Sequence, residues 1–160
     1  MPVIHLQTTV NASIGVVFNL SRSIDLHKIS TAHTNEEAVA GRTTGLIGPG
    51  DSVTWRARHF GITQNLTSKI TAYEYPDYFT DVMVQGAFKS FTHEHIFTEE
   101  NGTVIMLDIF TYQSPLGLLG KFADTLFLKK YMEKLLIGRN RIVKEFAEDE
   151  EKWKKVPGMN

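Results

Sequence analysis

At 160 residues the chain is long enough to bury a sizeable core in one domain. Its 17 basic and 18 acidic residues nearly cancel, which argues against nucleic acid as a main partner, since phosphate binding needs a basic surplus. The lack of cysteine excludes disulfides, thiol chemistry and Cys-ligated zinc. The opening Met1-Pro2-Val3-Ile4-His5 has no signal-like apolar run, and no segment approaches the roughly 20 apolar residues of a membrane span. The expectation is a cytoplasmic protein with no membrane insertion.

Residues 2–10 alternate and predict a first strand. Asn11 is a suitable helix cap, and Ile14, Val17 and Phe18 follow at helical spacing. Ser21 to Ser23 breaks that helix, and Ser23 can cap a second short one carrying Leu26 and Ile29. From about 36 to 113 the pattern is strand-like, punctuated by Gly48-Pro49-Gly50-Asp51, Gly61, Tyr75-Pro76-Asp77 and Gly86. Asn101-Gly102 is the strongest hairpin signal, because both residues tolerate the positive φ of a type I′ turn. Short connections imply antiparallel neighbours, about seven strands in all.

After Ser114-Pro115 the period becomes helical up to about Trp153. Leu116, Leu119, Phe122, Ala123 and Leu126 share one face; Leu128, Tyr131, Met132, Leu135, Ile142, Val143 and Phe146 share nearly the opposite one. That switch predicts a short helical flap over Pro115–Phe122, loosened by Gly117 and Gly120, and then a long helix from about Asp124. One continuous helix buried on two sides is the competing arrangement. The charged stretch from Glu148 to Lys155 reads as a solvated, fraying end. No internal repeat or second domain is visible, so residues 1–160 are read as one domain.

The Asn101-Gly102 turn fixes a register. If Glu100 opposes Thr103, then Phe97 faces Met106, His95 faces Asp108, His93 faces Phe110 and Phe91 faces Tyr112, all on one side of the sheet. That side is expected to meet the helix. In the preceding strands, Val53, Trp55, Ala57, His59, Ile62, Gln64, Leu66, Ser68 and Ile70 are expected to point the same way, with Arg56 and Arg58 outward. Buried polar groups cost roughly 1–3 kcal/mol each unless paired. Several of them among aromatics therefore suggest a hydrogen-bond network or a ligand cavity.

The order of strand, two short helices, long antiparallel sheet and terminal helix resembles the START-related (SRPBCC, helix-grip) superfamily. The local wording is similar to its bacterial polyketide cyclase/dehydrase-like branch. The segments that carry the likeness are Gly50-Asp-Ser-Val-Thr-Trp-Arg-Ala-Arg-His-Phe-Gly61, Gly86-Ala-Phe-Lys-Ser-Phe-Thr-His-Glu-His-Ile-Phe97, Asp108 before Tyr112, and Ser114-Pro115-Leu-Gly117. The resemblance covers essentially the whole chain. It implies an α+β helix-grip fold, in which a curved antiparallel sheet wraps a long C-terminal helix around a deep cavity. Members use that cavity for lipids, hormones, polyketides or aromatic compounds.

The expected ligand is thus a small hydrophobic or aromatic molecule, lined by Trp55, His59, Phe91, His93, His95, Met106, Asp108, Phe110, Leu128 and Met132. His95 beside Asp108 could serve as a general acid or base in a cyclase, dehydratase or isomerase that needs no cofactor; a structural cross-strand pair is the alternative. His93, His95 and Asp108 contain the residue types of a two-His, one-carboxylate metal set, but satisfied buried histidines are favoured, so no metal is expected. The outward row Ile96, Ile105, Leu107 and Ile109 is too apolar for a solvated face. A second copy of the chain, in a homodimer, is its simplest cover; a protein-interaction module is a further alternative.

Overall fold

A computed structural model describes residues 1–115 and 127–160. Strand β1 (Val3–Val10) leads into helices α1 (Ile14–Ser21) and α2 (Ile24–Ser30). Strands β2 (Glu37–Gly41), β3 (Ser52–His59), β4 (Ile62–Glu74), β5 (Tyr78–Gln85), β6 (Ser90–Glu100) and β7 (Thr103–Gln113) follow. Helices α3 (Lys129–Ala147) and α4 (Glu150–Trp153) complete the chain. The seven strands form one antiparallel sheet in the order β1-β7-β6-β5-β4-β3-β2. This is the expected α+β arrangement. All of the flap expected over Pro115–Phe122 except Pro115 itself, and the stretch from Asp124 to Leu126, fall outside the described residues.

Local chemistry explains most boundaries. Asn101 and Gly102 take φ of 53° and 78° and close the β6–β7 hairpin, which pairs Phe97 with Met106, His95 with Asp108 and His93 with Phe110. Phe60 and Gly61 (φ 52° and 75°) do the same between β3 and β4, with His59 opposite Ile62. Ser23 caps α2, its Oγ accepting from the Leu26 N–H at 3.1 Å. Helix α1 differs from expectation, because its cap position is Ser13. Asn11 instead ties chain ends together: its N–H donates to Glu148 Oε1 at 2.9 Å and its Oδ1 accepts from Thr103 Oγ1 at 3.2 Å.

The core lies between the sheet and the three helices α1, α2 and α3. Phe18 on α1 is fully buried and meets Tyr73, Tyr75, Phe79 and Phe97 edge-on, with centroids 5.2–5.4 Å apart. Met106, also fully buried, lies under α1 with its sulfur 3.4 Å from Ser21 Oγ. The charged C-terminal stretch is not a fraying end. Asp149 caps α4 through the N–H groups of Glu151 and Lys152, and Val156 is buried in the main core. Charge count alone hides this, because one well-placed valine anchors the segment. On the other face of the sheet, Ile96, Ile105, Leu107 and Ile109 are half-buried and interleaved with Gln7, Thr9, Glu94 and Thr98 across the strands.

Short β2 carries a bulge between Ala38 and Ala40 at one edge of the sheet. At the other edge, Lys144 Nζ on α3 donates to the Thr9 carbonyl of β1.

Candidate functional site

A cavity of about 570 Å³ opens between the sheet and α3. Its sheet wall follows strand alternation: Val53, Trp55, Ala57 and His59 on β3, Gln64, Leu66, Ser68 and Ile70 on β4, and Phe91, His93 and His95 on β6. Helix α3 and the residue before it supply Leu128, Tyr131, Met132, Leu135, Leu136 and Arg139. Of the residues expected to line it, Trp55, His59, Phe91, His93, His95, Phe110, Leu128 and Met132 do so. Met106 and Asp108 share their strand face but are fully buried behind the wall, where α1 and α3 cover that part of the sheet. Ile62, expected inward, is 61 % exposed at the tip of the β3–β4 hairpin.

Polar groups gather at two stations on this apolar wall. The first is a network on β5, β6, β7 and α3. His93 Nε2 lies 2.9 Å from Asp108 Oδ1, and His95 Nε2 lies 3.1 Å from Asp81 Oδ1. His95 Nδ1 is 3.1 Å from Asp108 Oδ1 but out of line for a hydrogen bond. The His95 ring stacks on Phe79 at 4.1 Å and 18°. Asn140 Nδ2 donates to Asp108 Oδ2 at 2.7 Å, while Arg139 sits with Nη1 3.3 Å from Asp108 Oδ1. The guanidinium is held from behind by the Ser21 carbonyl (2.8 Å) and Asn140 Oδ1 (2.9 Å).

Burial pushes the Asp108 carboxyl up, but the hydrogen bond with His93, the close approach of His95 and the charge of Arg139 outweigh it and hold it well below the usual carboxylate range. Asp81 is likewise held low, burial being overcome by its hydrogen bond with His95 and by the nearby His93 and Arg139. His93 is pushed down, first by burial and then by His95, against the pull of Asp108. Both carboxyls are therefore ionised at neutral pH and His93 is neutral.

The second station is Glu36 with His27 and His59. His27 Nε2 lies 2.9 Å from Glu36 Oε1, and the His27 ring sits 4.3 Å from Trp55. Burial raises the Glu36 carboxyl, yet His27 brings it below its ordinary value. His59 Nδ1 meets Tyr131 Oη at 2.6 Å, joining the β3–β4 hairpin to α3 beside the aromatics Phe60 and Phe127. Burial lowers His59 and raises Tyr131.

Sequence reasoning found the His95–Asp108 pairing but missed Asp81, Arg139, Asn140 and Glu36. Two signals were present. Phe79, Asp81 and Met83 alternate on β5, which sets a carboxylate on an apolar face. Arg139 and Asn140 lie three and four residues from both Leu136 and Val143, on the buried stripe of α3. Glu94 points to the other face, as strand alternation requires, and accepts from Tyr78 Oη at 3.2 Å. Among the described residues, the group able to hold a metal ion is Asp81, His93 and His95, not the set with Asp108.

No protein-family model matches the chain, and no curated protein matches it. Solved structures do. The protein TTHA0849 from Thermus thermophilus aligns with a TM-score of 0.69 at 18 % identity, covering 89 % of this chain and 97 % of that one. The major latex-like protein 151 of Panax ginseng aligns at 0.66 and 15 % identity, covering 91 % and 97 %. The di-domain ARO/CYC StfQ from the steffimycin biosynthetic pathway aligns at 0.71 and 14 % identity over 91 % of this chain and 51 % of its own length, so the chain spans about half of that protein.

At these identities the likeness establishes the fold alone, the expected helix-grip arrangement of sheet and C-terminal helix. No helix among the described residues is long and apolar enough to cross a membrane.

Proposed function

We propose that the chain binds a small hydrophobic or aromatic molecule, lipid- or polyketide-like, in the cavity between the sheet and α3. The observation that carries this reading is the cavity itself: about 570 Å³, mostly apolar, with polar groups confined to two stations. That makeup suits a ligand with an apolar body and one or two oxygen functions. The ginseng latex-like and StfQ structures, which share the fold, are consistent with it.

The test is fluorescence titration with an anilinonaphthalene sulfonate probe, using Trp153→Phe protein so that Trp55 is the sole donor. The expected result is one probe per chain, with energy transfer from Trp55, which lies in the cavity wall. Ala57→Phe, which fills the cavity from β3, should weaken binding at least tenfold without lowering secondary structure. Equal binding by that variant would place the probe elsewhere and sink the proposal.

A second reading is favoured by one feature, the His95 imidazole set between Asp81 and Asp108 at 3.1 Å from each. On this reading the two carboxylates support the imidazole as a general acid or base toward a bound carbonyl compound, as in a cyclase, dehydratase or isomerase. On a turnover assay with a poly-β-carbonyl substrate, His95→Gln should then abolish activity with the fold kept; unchanged turnover refutes the role. For the outward face we propose a homodimer through Ile96, Ile105, Leu107 and Ile109. Sedimentation equilibrium should find a dimer that Leu107→Lys dissociates, and a monomer at high concentration overturns it.

A further inference from the structure

The four ring nitrogens of His93 and His95 lie 2.9, 3.1, 3.1 and 3.8 Å from a carboxylate oxygen of Asp81 or Asp108. Arg139 contacts Asp108 directly, its Nη1 3.3 Å from Oδ1. A cation held between Asp81 and the two rings would meet one donor atom from each of the three side chains.

The geometry suits one. One donor atom from each of Asp81, His93 and His95 lies within 4.8 Å of the others. Asp81 Oδ1 is 3.1 Å from His95 Nε2 and 3.8 Å from His93 Nδ1. Donors bound at 2.0–2.2 Å to a tetrahedral ion sit about 3.3–3.6 Å apart, so small side-chain adjustments would suffice. The other nitrogen of each ring, His93 Nε2 and His95 Nδ1, faces Asp108 Oδ1 at 2.9 and 3.1 Å. A carboxylate behind each ligating imidazole is the arrangement that orients metal-bound histidines. Asp108 is in turn fixed by Asn140 and Arg139.

We propose that Asp81, His93 and His95 bind a divalent first-row transition ion, with Asp108 as the positioning residue for both rings and the open coordination positions turned to the cavity. Two imidazoles select against calcium and magnesium, which prefer all-oxygen sites. Charge indicates what would complete the shell. Asp81 and Asp108 against Arg139 and a divalent ion leave one net positive charge. The complement is a cavity ligand bearing an anionic oxygen, such as a carboxylate, enolate or phenolate. The metal site stands on its own geometry and does not depend on which apolar molecule the cavity takes.

The experiment is a titration of chelator-treated, full-length protein with Co²⁺ alone, followed by absorption and calorimetry. The expected result is one Co²⁺ per chain, with a visible band more intense than that of the hexaaqua ion and displaced by one equivalent of Zn²⁺. Asp81→Asn, an isosteric change at a partly exposed side chain, should weaken binding at least 30-fold, and His93→Gln or His95→Gln should do the same. The exposed-histidine controls His5→Gln and His33→Gln should bind as the parent does. If the His93 or His95 variants do not fold, Asp81→Asn and the parent spectrum still decide the matter. No stoichiometric uptake, a hexaaqua-like spectrum, or binding unchanged in Asp81→Asn each overturns the site.

Discussion

Asp108→Ala should lower stability by about 3–5 kcal/mol, the range for removing one partner from a buried ion pair. For a chain of this length that is a fall in melting temperature of about 10 °C or more. The carboxylate is fully buried and accepts from His93 and Asn140 while balancing Arg139. Its removal leaves a guanidinium, itself 7 % exposed, without a counter-ion. Asp108→Asn keeps the shape and one acceptor but not the charge, so it should lose less. Thermal and urea denaturation of the two variants check this; a loss under about 1 kcal/mol in Asp108→Ala would mean that the network relaxes around water.

The pH dependence has a definite sign. The folded Asp108 carboxyl is held well below its ordinary value by His93, His95 and Arg139, despite burial. Its contribution is therefore complete above the unfolded value of about 4 and drains away as the pH falls further toward the folded one. His93, pushed down in the folded state by burial and by His95, loses stability in the same direction. The groups facing Asp108 are His93 and His95 from β6 and Arg139 and Asn140 from α3. Asp108→Asn should accordingly flatten the acid limb of the stability curve relative to the parent. An identical limb in both proteins would count against this assignment.

Phe18→Ala is expected to have the other large effect, about 3–5 kcal/mol. The ring is fully buried and touches Tyr73, Tyr75, Phe79 and Phe97, so truncation opens a void that these four aromatic side chains cannot close together. Phe18→Leu retains most of the volume and should lose well under half as much. Denaturant titrations with unchanged m values test both substitutions. Comparable losses for Ala and Leu would show that the edge-on ring geometry, rather than volume, dominates.

The part of the site that could be read from sequence is the part with a fixed register. Asn101-Gly102 admits one turn geometry, and from it His93, His95, Phe110 and Asp108 follow by counting. Strand β5 offers no such anchor. Its pairing with β4 shifts register at Thr67–Ser68 and again at Ile70–Ala72, so Asp81 cannot be placed opposite His93 by counting from a turn. Arg139 and Asn140 were passed over because only apolar residues were used to orient α3, although both sit in its buried stripe. Met106 and Asp108 illustrate a different limit. Alternation tells which way a side chain points, but whether it meets a helix or a void depends on where α1 and α3 lie on the sheet. Val156 shows that a lone aliphatic residue amid charges can still be an anchor.

The two margins of the sheet bear on how copies of this protein can meet. An unprotected border strand invites main-chain pairing with a neighbour, which leads to fibrils rather than finite assemblies. Here the bulge at Ala38–Ala40 interrupts one border, and the ammonium of Lys144 occupies a border carbonyl at Thr9 on the other. Any association of folded chains is thereby steered away from endless strand-by-strand growth and toward side-chain contacts that close on themselves.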